Sequence, residues 1–101
     1  MNTKSYFDQL EKKFGRLSFG GILKALRDSE GITQVEFAKK LHITVQNLCD
    51  LEKGRRIPSP LRAARIAKKL GYPTKSFIEL SIRDSLENDG FHFEVKLSEA
   101  I

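Results

Sequence analysis

The sequence predicts an all-α fold of five short helices, with one further amphipathic helix before them and a single short β-strand after them. Three observations predict it. Apolar residues recur at three- and four-residue spacing along most of the chain. Cap residues and glycines divide that pattern into short pieces. Only the last segment, 91–97, changes to strict alternation.

Residues 3–14 place Tyr6, Phe7, Leu10 and Phe14 at helical spacing, and Gly15 ends that helix. Gly20 and Gly21 are expected to loosen the chain before the next stripe, Ile22, Leu23 and Leu26. That second helix runs to Glu30 and stops on Gly31. Thr33 is an N-cap with Glu36 as its capping-box partner. The helix over 34–41 then turns Val35, Phe37, Ala38 and Leu41 inward. Thr44 caps the next helix, which buries Leu48 and Leu51 and stops at Gly54. Pro58 and Pro60 mark a loop. Ser59 or its neighbour opens a helix with Leu61, Ala64, Ile66, Ala67 and Leu70 inward, ended by Gly71. Pro73 and Thr74 start a helix over 75–87 with Phe77, Ile78, Leu80, Ile82 and Leu86 as its apolar residues. Phe91, Phe93, Val95 and Leu97 alternate with His92, Glu94 and Lys96, which reads as a strand with one apolar face.

With 101 residues and 40% hydrophobic content, the chain has room for one modest core, to which an oligomer interface would add stability. Cys49 is the one cysteine, so no internal disulfide forms and a reducing compartment fits. The start has no apolar core of signal-peptide type. No apolar run approaches the roughly 20 residues that cross a bilayer. His42 and His92 fall on different elements with no Cys/His cluster near, so neither a metal nor another cofactor is expected. No Ser/His/Asp set, glycine-rich phosphate loop or convincing carboxylate pair is present, and an enzyme is not expected.

Charge is unevenly placed. The net charge is +5, a balance that favours a polyanionic partner. Lys53, Arg55, Arg56, Arg62, Arg65, Lys68 and Lys69 fall in one stretch with no acid among them. From Ser76 onward, Glu79, Asp84, Glu87, Asp89, Glu94 and Glu99 face only Arg83 and Lys96. One stretch suits phosphate and the other repels it, which implies two surfaces with two tasks.

The helices over 34–41 and 45–53 are separated by only His42, Ile43 and Thr44. So short a joint forbids an antiparallel pair and makes the helices cross steeply, which is helix-turn-helix geometry. One helix can then rest on a DNA backbone while the other enters the major groove.

The run GITQVEFAKKLHITVQNLCDLEKGRR, residues 31–56, resembles the helix-turn-helix of the Cro and phage-repressor (XRE) family. The matching features are Thr33-Gln34, Phe37-Ala38, Leu41, Ile43, Leu48, Leu51, Glu52 and Gly54, and the likeness extends over about 22–70. His42 departs from the family's usual turn glycine, although histidine tolerates the left-handed conformation better than most residues. The resemblance implies a DNA-binding transcriptional regulator, a repressor in the first instance, located in the bacterial cytoplasm at the nucleoid. Val45, Gln46, Asn47 and Asp50 would read base edges. Gln34, Thr44, Lys53, Arg55 and Arg56 would hold the DNA backbone, with Gln34 also bracing the second helix. Arg27 and Glu52 match a family pair that forms a structural salt bridge. Gln46 and Asn47 suit this task chemically, because an amide side chain bonds the N6/N7 edge of adenine in a bidentate way.

The resulting organisation is an N-terminal helix over 1–17, a DNA-binding domain over 18–72 and a helix-plus-strand dimerisation segment over 73–101. A lone strand leaves its N–H and C=O ladder unpaired. Phe91, Phe93, Val95 and Leu97 are expected to pair across a two-fold axis in a homodimer that reads a palindromic operator on double-stranded DNA. The other reading is a strand that folds back on its own helices, or frays. A helix-turn-helix followed by a helix and a terminal strand also resembles bacterial antitoxins of the HigA and HipB kinds, which implies an autoregulating antitoxin with a cognate toxin protein as partner. Two alternatives stand beside it: a phage or mobile-element repressor without a toxin, and a protein-interaction adaptor that has lost DNA binding.

Overall fold

A computed structural model describes residues 8, 9, 11, 12 and 16–100. Residues 8, 9, 11 and 12 are helical. Tyr6, Phe7, Leu10 and Phe14, the apolar stripe of the expected N-terminal helix, lie outside the described residues. The chain divides into two compact units, one ending at Ile57 and the other beginning at Pro58.

The first unit holds three helices, α1 (Phe19–Glu30), α2 (Gln34–Leu41) and α3 (Val45–Glu52). Ser18 starts α1 by accepting a hydrogen bond from the Gly21 N–H at 3.0 Å. The helix therefore begins three residues before the expected start at Ile22, and Gly20 and Gly21 lie inside it rather than loosening the chain. The cause is tertiary. A Cβ on Gly20 would collide with the Leu51 carbonyl oxygen on α3, so this position is bare for close helix approach. Phe19, Ile22, Leu23 and Leu26 of α1 are buried with Phe37, Ala38 and Leu41 of α2 and Leu48 and Leu51 of α3. Each large side chain among them contributes about 1.5–3 kcal/mol by leaving water. Val35, expected inward, is exposed. Phe37, Ala38 and Leu41 set the inward face of α2, and Val35 stands about 200° round the helix from Phe37.

The second unit holds α4 (Pro60–Leu70) and α5 (Thr74–Asn88), which pack on each other. Ser59 caps α4 by accepting from the Arg62 N–H at 3.2 Å, and Pro60 occupies the first turn where its missing N–H costs nothing. Ala63, Ile66 and Ala67 are buried, as are Phe77, Leu80 and Ser81. Leu61, expected inward, is exposed, and Ala63 takes the core position in its place. The core stripe runs 63, 66, 67, which puts residue 61 on the far side of the helix. The buried Ser81 hydroxyl is satisfied by donating to the Ile78 carbonyl at 2.9 Å.

The expected strand does not form. Residues 91–100 have no regular secondary structure, so Phe91, Phe93, Val95 and Leu97 belong to an irregular segment. A strand needs a neighbour to complete its ladder, and a single copy of the segment supplies none. The Leu97 N–H instead donates to the Glu79 carboxylate at 2.7 Å, a side chain of α5 standing in for a strand. Val95 and Leu97 are half-buried. Phe91 and Phe93, by contrast, stack on each other at 6.4 Å and stay 54% and 60% exposed.

Candidate nucleic-acid interface

The turn between α2 and α3 is built from local chemistry. Thr33 accepts from the Glu36 N–H at 3.1 Å to start α2, and Thr44 accepts from the Asn47 N–H at 3.0 Å to start α3. Between them His42 adopts φ 56, a left-handed conformation that residues other than glycine seldom take. Its neighbour Ile43 then returns an N–H to the Ala38 carbonyl at 3.0 Å, which closes the end of α2. Two caps and one left-handed residue thus end one helix and start the next within three residues.

The far end of α3 is closed in the same manner. Gly54 at φ 75 reverses the chain, and the Arg55 N–H reaches back to the Asp50 carbonyl at 2.9 Å. Arg56 shares that carbonyl at 3.3 Å. Arg55 and Arg56 are therefore carried at a fixed place beside the C-terminal end of α3, where positive charge also suits the helix dipole. Lys53, Arg55 and Arg56 are all exposed.

A buried ion pair holds α3 from behind. Arg27 Nε donates to Glu52 Oε2 at 2.8 Å and its Nη2 donates to Glu52 Oε1 at 3.0 Å. The Glu52 side chain is only 3% exposed and that of Arg27 15%. Gln34 Nε2 adds a third donor to Glu52 at 3.0 Å, and Arg27 Nη1 donates to the Ile32 carbonyl at 3.3 Å. The hydrogen bonds it donates to Glu52 raise the pKa of the Arg27 guanidinium above its ordinary value; burial opposes them, and the charges of Glu52 and Asp28 add to them. Removing one side of such a pair strands a buried charge, which makes the network costly to break singly. Gln34 thus braces α3 through the Glu52 carboxylate, while α1, α2 and α3 are tied at one point.

On the outer side of α3, Val45 and Gln46 are exposed and Asn47 is half-buried. Thr44, whose oxygen caps the helix, is exposed beside them. Asp50 is half-buried and accepts from two neighbours: Gln46 Nε2 at 3.0 Å and Arg55 Nη1 at 3.2 Å. Sequence reasoning placed Gln46, Asp50 and Arg55 separately and missed that one carboxylate oxygen joins them. The four-residue spacing of Gln46 and Asp50 on a helix was the available signal. It also missed Gly20, for which no sequence signal exists, because a glycine in an apolar stripe looks like a helix breaker.

Arg62, Arg65, Lys68 and Lys69 lie on α4, in the second unit, where Arg65, Lys68 and Lys69 are exposed. Among the described residues no group of three or more His, Cys, Asp and Glu side chains could hold a metal ion. No described helix is long and apolar enough to cross a membrane.

Known proteins share this pattern. The helix-turn-helix family matches residues 23–77. An "Uncharacterized HTH-type transcriptional regulator" of Methanothermobacter thermautotrophicus (strain Delta H) is 42% identical over 50 residues, a stretch covering 50% of this chain and 72% of the relative. No solved structure matches the chain.

Proposed function

The chain belongs to the helix-turn-helix family of DNA-binding transcriptional regulators, and from that premise we propose that it represses transcription by seating α3 in the major groove of a palindromic operator. The observation that carries this reading is the construction of α3 itself. Thr44 caps it, the Arg27–Glu52 pair anchors its buried side, and Val45 and Gln46 stand exposed at its start. Val45, Gln46, Asn47 and Asp50 form the base-reading face. Gln34, Thr44, Lys53, Arg55 and Arg56 grip the phosphates on either side and set the register of the helix. Repression follows from occupancy: a protein held on the operator excludes the polymerase.

One α3 spans only a few base pairs, so the operator is read by a homodimer with half-sites about 34–36 Å apart. The exposed Phe91–Phe93 stack supports a protein partner on the C-terminal segment. That partner is a second copy in the homodimer, and in the antitoxin form of this reading a cognate toxin protein as well. The promoter of the chain's own gene is then the natural operator.

Footprinting on the region upstream of its own gene tests DNA binding, half-site spacing and autoregulation together. Affinity should fall with salt at a log–log slope of about −0.9 for each phosphate contact. Arg55→Ala should flatten that slope by about one unit and weaken all sequences alike, whereas Gln46→Ala should cost roughly 1–3 kcal/mol on the operator and relax one base position. A salt-independent affinity would favour the adaptor reading instead. Isolation of the protein from its native operon without a toxin-like companion would remove the antitoxin role and leave the repressor.

A further inference from the structure

Asp50 is an unusual residue for a surface that meets phosphates, because a carboxylate there is repelled. Its contacts give it a task. The side chain lies on the outer side of α3, one turn after Gln46, and its Oδ1 accepts from both Gln46 Nε2 at 3.0 Å and Arg55 Nη1 at 3.2 Å. The Arg55 charge offsets its own.

A carboxylate only accepts, so the end of the Gln46 amide turned toward Asp50 must be the nitrogen. One of the two Nε2 hydrogens is thereby used. The groove-facing remainder of the amide is one donor hydrogen and the acceptor Oε1. That pair matches adenine, which offers N7 as acceptor and N6–H as donor in the major groove. It mismatches guanine, whose N7 and O6 both accept and would need both amide hydrogens. A glutamine free to turn serves either base. The geometry points to Asp50 as a positioning residue that locks Gln46 in its adenine-reading orientation and, through the same oxygen, ties Arg55 to the start of the reading face. This inference deepens the DNA-binding reading above and rests on it.

Asp50→Asn keeps the shape and removes the lock. The amide introduced at this position can present either its oxygen or its nitrogen, so the Gln46 amide is released to turn. The test begins with selection of bound sequences from a pool of duplexes carrying random central base pairs, using the whole chain. The position lost in Gln46→Ala identifies the base pair that Gln46 reads. Anisotropy titrations then compare the selected duplex with one carrying the A·T to G·C change at that pair. The wild type should prefer A·T there, and Asp50→Asn should cut the preference by roughly tenfold. Affinity for unrelated duplex and the circular dichroism melt are measured beside it, and the preference should fall by more than either of them changes. In the Gln46→Ala background, Asp50→Asn should change the preference no further.

A merely structural Asp50 would lower the melt and weaken every sequence together, leaving the A·T preference intact; that result overturns the lock while the DNA reading stands. A Gln46-dependent preference for G·C overturns it equally. A wild-type chain that selects no sequence at all overturns the DNA reading and the lock with it.

Discussion

Residues 33–56 and residues 91–100 both carry a regular apolar pattern, and only the first turns it into regular secondary structure. In 33–56 every helix end finds a partner within a few residues. Thr33 and Thr44 cap the starts, and the Ile43 and Arg55 N–H groups close the ends. In 91–100 the alternation asks for hydrogen bonds that another strand supplies, and the segment instead bonds to its own chain, the Phe91 N–H to the Leu86 carbonyl and the Leu97 N–H to Glu79. Helical backbone bonds are local and strand bonds are not. A one-sided apolar pattern therefore commits a helix as soon as a core is present, whereas it leaves a strand waiting for a neighbour.

The ordered region should fail first at the ion pair behind α3. Glu52→Ala strands the Arg27 guanidinium and removes the acceptor for Gln34, and should cost about 3–5 kcal/mol in urea unfolding. Replacing both members of the pair with apolar residues of similar volume should cost much less. If the single and double changes cost the same, the network does not tie α1 to α3 as described. Gly20→Ala comes next, because the added methyl would meet the Leu51 carbonyl; a loss of about 2–3 kcal/mol is expected, and a neutral result would show that α1 can slide off α3. Thr44→Ala removes one cap and should lower stability by about 1 kcal/mol, read as a shift in the thermal midpoint.

The smallest effect on helix content belongs to the tail. A chain ending at Gly90 should keep its helical circular dichroism signal, because 91–100 contribute no regular structure. Sedimentation of the same truncated chain asks whether the tail finds its neighbour in a second copy. If the segment is the dimer clasp, the shortened chain runs as a monomer and loses affinity for a two-half-site operator. A truncated chain that still sediments as a dimer places the interface elsewhere.

Much of the DNA-binding segment was legible in the sequence because its signals are local. Thr33, Thr44 and Gly54 mark helix ends by their own side-chain or backbone chemistry. Phe37, Ala38, Leu41, Leu48 and Leu51 mark a buried face by spacing alone. The errors lie where spacing runs out. Val35 and Leu61 are apolar but stand well round the helix from the residues that are buried, and only the folded chain shows which apolar residues define the covered face.

The five helices, the caps Thr33 and Thr44, the joint at His42 and the concentration of positive charge after α3 were all written in the order of residues. Each follows from interactions within a few residues, which one chain always contains. Three features waited for the folded chain: that Gly20 is a point of contact, that Asp50 joins Gln46 to Arg55, and that 91–100 stays out of a strand. The first and last depend on backbone brought together from distant parts of the chain. The Asp50 link depends on which rotamers the surface of α3 leaves open, and no pattern of residue types specifies that.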